Sequence, residues 1–157
     1  MHIPLPAPVS NIWSTNRGYG VNEMLPAHKR LQSYKEEIAN GVSHGIALAA
    51  CLIAAPFLLS SASRPGDAWH VAGAGVFAGA MIFMYLSSAL YHFLPGNRTK
   101  RVLRVVDHVA IFFLIAGTYT PFTLGVLRGA WGWTLFGIVW SLAVLGMTLK
   151  IRGALWN

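Results

Sequence analysis

Of the 157 residues, 55% are apolar and 11% charged, whereas an ordinary soluble domain has roughly 25% charged residues; this excludes a soluble enzyme and points to a membrane protein. Lys and Arg number 12 against 5 Asp and Glu, a formal net charge of +7. A nucleic-acid partner is not expected, because these charges flank apolar spans, and the single cysteine, Cys51, excludes an intrachain disulfide framework.

Residues 1–34 contain Pro4, Pro6, Pro8 and Pro26 and no apolar run. They read as a flexible or surface-lying extension, and without an apolar core they are no signal peptide. Residues 35–157 read as the membrane domain. Its apolar stretches cover about 38–59, 68–94, 105–127 and 131–149, each close to or above the roughly 20 residues that cross the hydrocarbon as a helix. The connections Ser60–Gly66, Pro95–Asn97 and Arg128–Gly129 are short and rich in turn residues. Short loops between long helices predict an all-α, polytopic transmembrane helix bundle of antiparallel, up-down order.

Charge bias sets the expected orientation. Arg17, Lys29, Arg30 and Lys35 precede the first span, Arg98, Lys100, Arg101 and Arg104 lie between the second and third, and Lys150 and Arg152 follow the fourth. Only Arg64 and Arg128 fall on the other side. The N-terminus is therefore expected in the cytoplasm, with the basic side free to attract anionic lipid headgroups.

The polar residues of the spans gather toward that same side. Glu37, Asn40 and His44 recur at i, i+3 and i+7, on one helical face that also holds Gly41, where another helix could approach closely. Glu37 reads either as part of a site or as an interfacial carboxylate paired with Lys35. Asn40 can be interhelical glue, and His44, about 10 Å deeper along the axis, a hydrogen-bonded core histidine. Ser88 and His92 share a face at i, i+4, or else the serine bonds its own helix backbone. Asp107 and His108 open the third span and diverge by about 100°. Asp107 is the expected inward group, with a cap or a pair with Arg104 as the alternative. Pro121 should kink the outer half of that span, with Thr118 on the Asp107 face. Trp69, His70, Trp131 and Trp133 fit interfacial belts, and the fourth span reads as scaffold.

Ionisable groups inside a bilayer are costly and mark function. Neutral imidazole binds zinc, a nearby carboxylate can take a proton, and serine can donate to a developing oxyanion. No His-x-x-x-His spacing occurs, so spacing alone does not specify a metal.

The strings Lys35-Glu-Glu-Ile-Ala-Asn40-Gly-Val-Ser-His44-Gly, Ser87-Ser-Ala-Leu-Tyr-His92 and Asp107-His-Val-Ala-Ile-Phe-Phe-Leu-Ile-Ala-Gly-Thr-Tyr-Thr-Pro121 resemble the bacterial hemolysin III family, related to the progestin and adiponectin receptors and to alkaline ceramidases. The resemblance covers roughly residues 35 to 150. It implies a seven-span fold, of which four spans are present here, and a zinc site near the cytoplasmic face. It also implies His92 as a metal ligand, Asp107 and Ser88 as catalytic groups, and Glu37 and Asn40 as matching polar positions. The family's other two ligands, spaced His-x-x-x-His in the last helix, are expected to be missing, so the zinc site is expected to be incomplete in this chain. Three functions compete: a zinc-dependent lipid amide or ester hydrolase, a pore-forming cytolysin, and a sensor or scaffold without turnover. The expected setting is the bacterial inner membrane, with the lipid bilayer and self-association as partners.

Overall fold

A computed structural model describes residues 33–64, 67–94 and 97–155. The expected N-terminal extension over residues 1–34 falls almost wholly outside them. The described residues form an all-α membrane bundle of four long apolar helices: α1 (Tyr34–Ser63), α2 (Ala68–Phe93), α3 (Asn97–Pro121) and α4 (Ala130–Leu155).

Local chemistry sets the helix ends. Asp67 stands in extended conformation before α2, and its Oδ1 accepts the Trp69 N–H at 3.0 Å, satisfying one of the donors that a helix start leaves open. Leu94 turns extended at the other end of α2, as the residue before a proline tends to do. The third helix starts well before the apolar stretch expected from residue 105. Arg98 to Arg104 form its first two turns, since Lys and Arg are good helix formers.

Pro121 closes α3, and the chain continues as a π-helical turn over Phe122–Val126. The Leu127 N–H donates to the Phe122 carbonyl at 2.8 Å, so a local widening of the helix follows the proline that was expected to kink it. Gly129 has φ +142°, a left-handed value suited to glycine, and it makes the turn into α4.

The helices pack in series. Among the described residues, α1 packs on α2, α2 on α3 and α3 on α4, while the backbones of α1 and α4 do not meet. The buried positions are mostly small: Ala74, Ala78, Ala80, Ala89, Ala110, Ala116 and Ala143. This is how helices approach in a bilayer, where apolar bulk gains little by leaving lipid. A close backbone approach joins α2 to the end of α3, where a Cβ on Gly73 would lie 2.6 Å from Pro121 Cα. Large apolar side chains such as Phe57, Val126 and Trp131 face outward, as they should where hydrocarbon is the solvent.

Candidate functional site at the basic end

The end of α2 returns to the start of α1, and the imidazoles meet there. The His44 and His92 rings lie near-parallel, with centroids 5.9 Å apart and planes at 22°. Tyr85 flanks His44 at 5.8 Å and Tyr91 flanks His92 at 4.8 Å. The Nδ1 atoms of both histidines, like that of His70 at the other end of α2, are buried without a hydrogen-bond partner among the described residues. Buried polar atoms are nearly always paired, so two orphaned imidazole nitrogens side by side call for an explanation. A hydrogen-bonded core histidine, the alternative reading of His44, does not describe its Nδ1.

A charge system surrounds the pair. Glu37 forms an ion pair with Lys100, on the first turn of α3, rather than with the neighbouring Lys35. Both partners are mostly buried, and the contact joins α1 to α3 across the end of α2. Lys100 and Arg104 lie 5.5 and 5.8 Å from the centre of the Tyr91 ring. The Arg104 Nε–H donates to the Tyr91 hydroxyl at 3.2 Å, so Arg104 is engaged by Tyr91 and forms no ion pair with Asp107.

The other expected site residues are less closely joined. Ser88 is buried one turn before His92, while it is Ser87 that bonds its own helix, at the Met84 carbonyl, 2.9 Å. Asn40 is half-buried on α1. His108 Nδ1 lies 2.6 Å from the Arg104 carbonyl, a backbone contact that accounts for its ring. Gly41 is buried, and its neighbour is the Phe93 ring, 2.9 Å from where a Cβ would sit, rather than another helix backbone.

The donor set can be tested against zinc. Two imidazoles are suitable ligands, and a closed structural site needs four. Among the described residues no three His, Cys, Asp or Glu side chains converge closely enough to hold a metal ion. A complete zinc site therefore does not fit these residues alone.

The opposite end holds a cluster that the sequence reading missed. Asp67 Oδ2 accepts from Arg128 Nη1 at 2.7 Å and lies 3.5 Å from His70 Nδ1. The Trp69 N–H bond, then Arg128 and His70, hold the Asp67 carboxyl below the ordinary carboxylate range, outweighing the opposing effect of partial burial. Trp69 and Trp133 pack edge to face at 5.5 Å. The signal was available: an aspartate directly before an apolar helical run is a helix-start signature.

A family model described as haemolysin-III related matches residues 32–154. The chain is 48% identical over 117 residues to a protein named hemolysin-3 homolog from Bacillus subtilis (strain 168), an alignment covering 74% of this chain and 55% of that protein. It is 43% identical over 120 residues to hemolysin-3 from Bacillus cereus, covering 76% and 55%. The chain thus spans about half the length of these curated relatives. No solved structure matches.

Proposed function

Since the chain belongs to the haemolysin-III related family and is a multi-pass membrane protein, we propose that its basic end is one wall of a metal-dependent hydrolase site acting on a lipid amide or ester. The observation that carries this reading is the pair of orphaned imidazoles, His44 and His92, at the end of the bundle that also holds Glu37 and Asp107. His92 and His44 supply two nitrogen donors, and the remaining ligands come from outside the described residues. A bound metal in such a site would polarise a carbonyl or activate a water. Asp107 is the group suited to accept a proton. Ser88, buried a turn from His92, is suited to donate to a developing oxyanion. Glu37 and Asn40 orient that wall from α1.

The names of the two Bacillus relatives suggest hemolysis. Against a pore through one chain, the ionisable groups gather at the two ends of the helices and leave an apolar middle. Ten Lys and Arg on one side against two on the other support an inner-membrane protein with a cytoplasmic N-terminus. Tags at residues 1 and 157 should both be shielded from a membrane-impermeant label in intact cells, and labelling of either reverses the orientation.

Calorimetric titration of the detergent-purified chain with Zn²⁺ tests the imidazole pair. His44→Ala and His92→Ala should each weaken binding tenfold or more. Unchanged binding in both would remove the pair from any metal site. Fatty-acid release from N-acyl or O-acyl lipids should be lost in Asp107→Asn with insertion retained; release indifferent to Asp107 rejects the hydrolase assignment.

A further inference from the structure

The α3–α4 junction at the basic end carries chemistry that the imidazole site does not use. Arg101, Arg104 and Lys150 converge on an open pocket of about 430 Å³ whose remaining walls include Val105 and Leu149. A second cavity of about 360 Å³ shares Arg101, Val105 and Ala154 and adds Arg98. The two cavities share three walls along the α3–α4 groove, with arginine and lysine side chains beside valine, leucine and isoleucine. Among the described residues no carboxylate lies within ion-pair distance of Arg98, Arg101, Arg104 or Lys150.

The charge placement is unfavourable for the helix on its own. Arg98, Lys100, Arg101 and Arg104 occupy the first turns of α3, where no acidic residue stands. Cations at a helix N-terminus oppose the macrodipole, and an anion there is stabilised by it. Lys100 is neutralised by Glu37, whereas the arginines facing α4 have no such partner. A bound anion would relieve both the mutual repulsion and the dipole mismatch. At this depth the anion that brings its own apolar chains is a phospholipid, with the phosphate at the rim and an acyl chain along Val105 and Leu149.

We propose that the groove between α3 and α4 is a binding site for an anionic phospholipid headgroup, held by Arg101, Arg104 and Lys150. The site does not rest on the hydrolase reading: Arg101 and Lys150 take no part in the imidazole site, and only Arg104, whose Nε–H bonds Tyr91, borders both.

The test is native mass spectrometry of the full chain in mild detergent with phosphatidylglycerol or phosphatidylcholine of the same acyl composition. Phosphatidylglycerol should be retained preferentially. Each of Arg101→Gln and Lys150→Gln should reduce that retention about fivefold, while Arg64→Gln, the same charge change at the opposite end, should leave it unchanged. Equal retention of the two lipids by the parent protein overturns the site, even if a variant fails to insert. So does a loss equally large in Arg64→Gln, which would reduce the effect to net charge. Displacement of the lipid by equimolar sn-glycerol 3-phosphate overturns the lipid assignment in favour of a soluble phosphate.

Discussion

The two ends of the bundle differ in how their polar groups are satisfied. At the α2–π-turn end, Asp67 caps a helix, takes an arginine and faces a histidine, and backbones touch where Gly73 meets Pro121. At the basic end, two imidazole nitrogens lack partners, three arginines and a lysine lack carboxylates among the described residues, and two cavities open between α3 and α4. One end has spent most of its polar groups on holding helices together, with only His70 Nδ1, among the described residues there, buried without a hydrogen bond. The other commits Glu37 to Lys100 and Arg104 to Tyr91 but leaves an adjacent pair of imidazoles and the cations beside α4 without counter-groups, which is costly near a bilayer and therefore points to ligands.

If that contrast is right, the two ends should respond oppositely to an added methyl group. Gly73→Ala would push a Cβ to 2.6 Å from Pro121 Cα, a backbone atom that cannot rotate away. A loss of about 1–3 kcal/mol is expected from overpacking. Gly41→Ala meets the rim of the Phe93 ring, which is half-exposed and free to swing, and it gains about 0.5–1 kcal/mol of helix preference. It should be neutral or stabilising. Unfolding of both variants in mixed detergent micelles measures this, and equal losses would erase the distinction between the ends.

The charged contact of the basic end should come next in size. Lys100→Ala leaves the Glu37 carboxylate unpaired with a quarter of its side chain exposed. A loss of about 1–2 kcal/mol is expected, above that of an exposed pair and below that of a fully buried one. Glu37→Gln with Lys100→Ala should recover part of it. A double variant no better than the single would mean that the pair is not coupled.

Acid should act on the other end. The Asp67 carboxyl is held below its ordinary value of 3.8, so the folded state favours its charged form. That contribution is fully present above the ordinary value and is lost as pH falls through the lowered one. Asp67→Asn should flatten stability against pH in that acid range and leave it parallel to the parent above it. Coincident curves for variant and parent throughout would disconnect Asp67 from folding.

Much of the fold was legible because hydropathy and turn residues report directly on spans. The start of α3 was not, because a basic run reads as a loop by charge but folds as a helix by propensity. Of the site, the gathering of polar residues at one end followed from their register. The Glu37–Lys100 pair did not, since the partners are 63 residues apart and meet only through the return of α2. Thr118 was singled out by its register, but it is Thr120, two residues on in the same helix, and Thr123, in the π-helical turn, that are fully buried.

Thr120 offers the smallest and most local check. Its hydroxyl donates to the Ala116 carbonyl at 2.8 Å and accepts the Trp140 Nε1–H at 3.2 Å, a side-chain hydrogen bond that joins α3 to α4. Polar contacts between membrane helices average only about 0.6 kcal/mol, so Thr120→Val should cost about that much. The loss should be absent when Trp140 is already Phe, since the indole donor is then gone. A coupling near zero in that double-variant cycle would leave α3 and α4 joined by the Phe113–Trp140 ring contact at 5.6 Å and by close packing alone. A coupling near the expected size would place Trp140 among the groups that make this end a fixed frame, and α4 would then be a working part of the bundle rather than a passive outer wall.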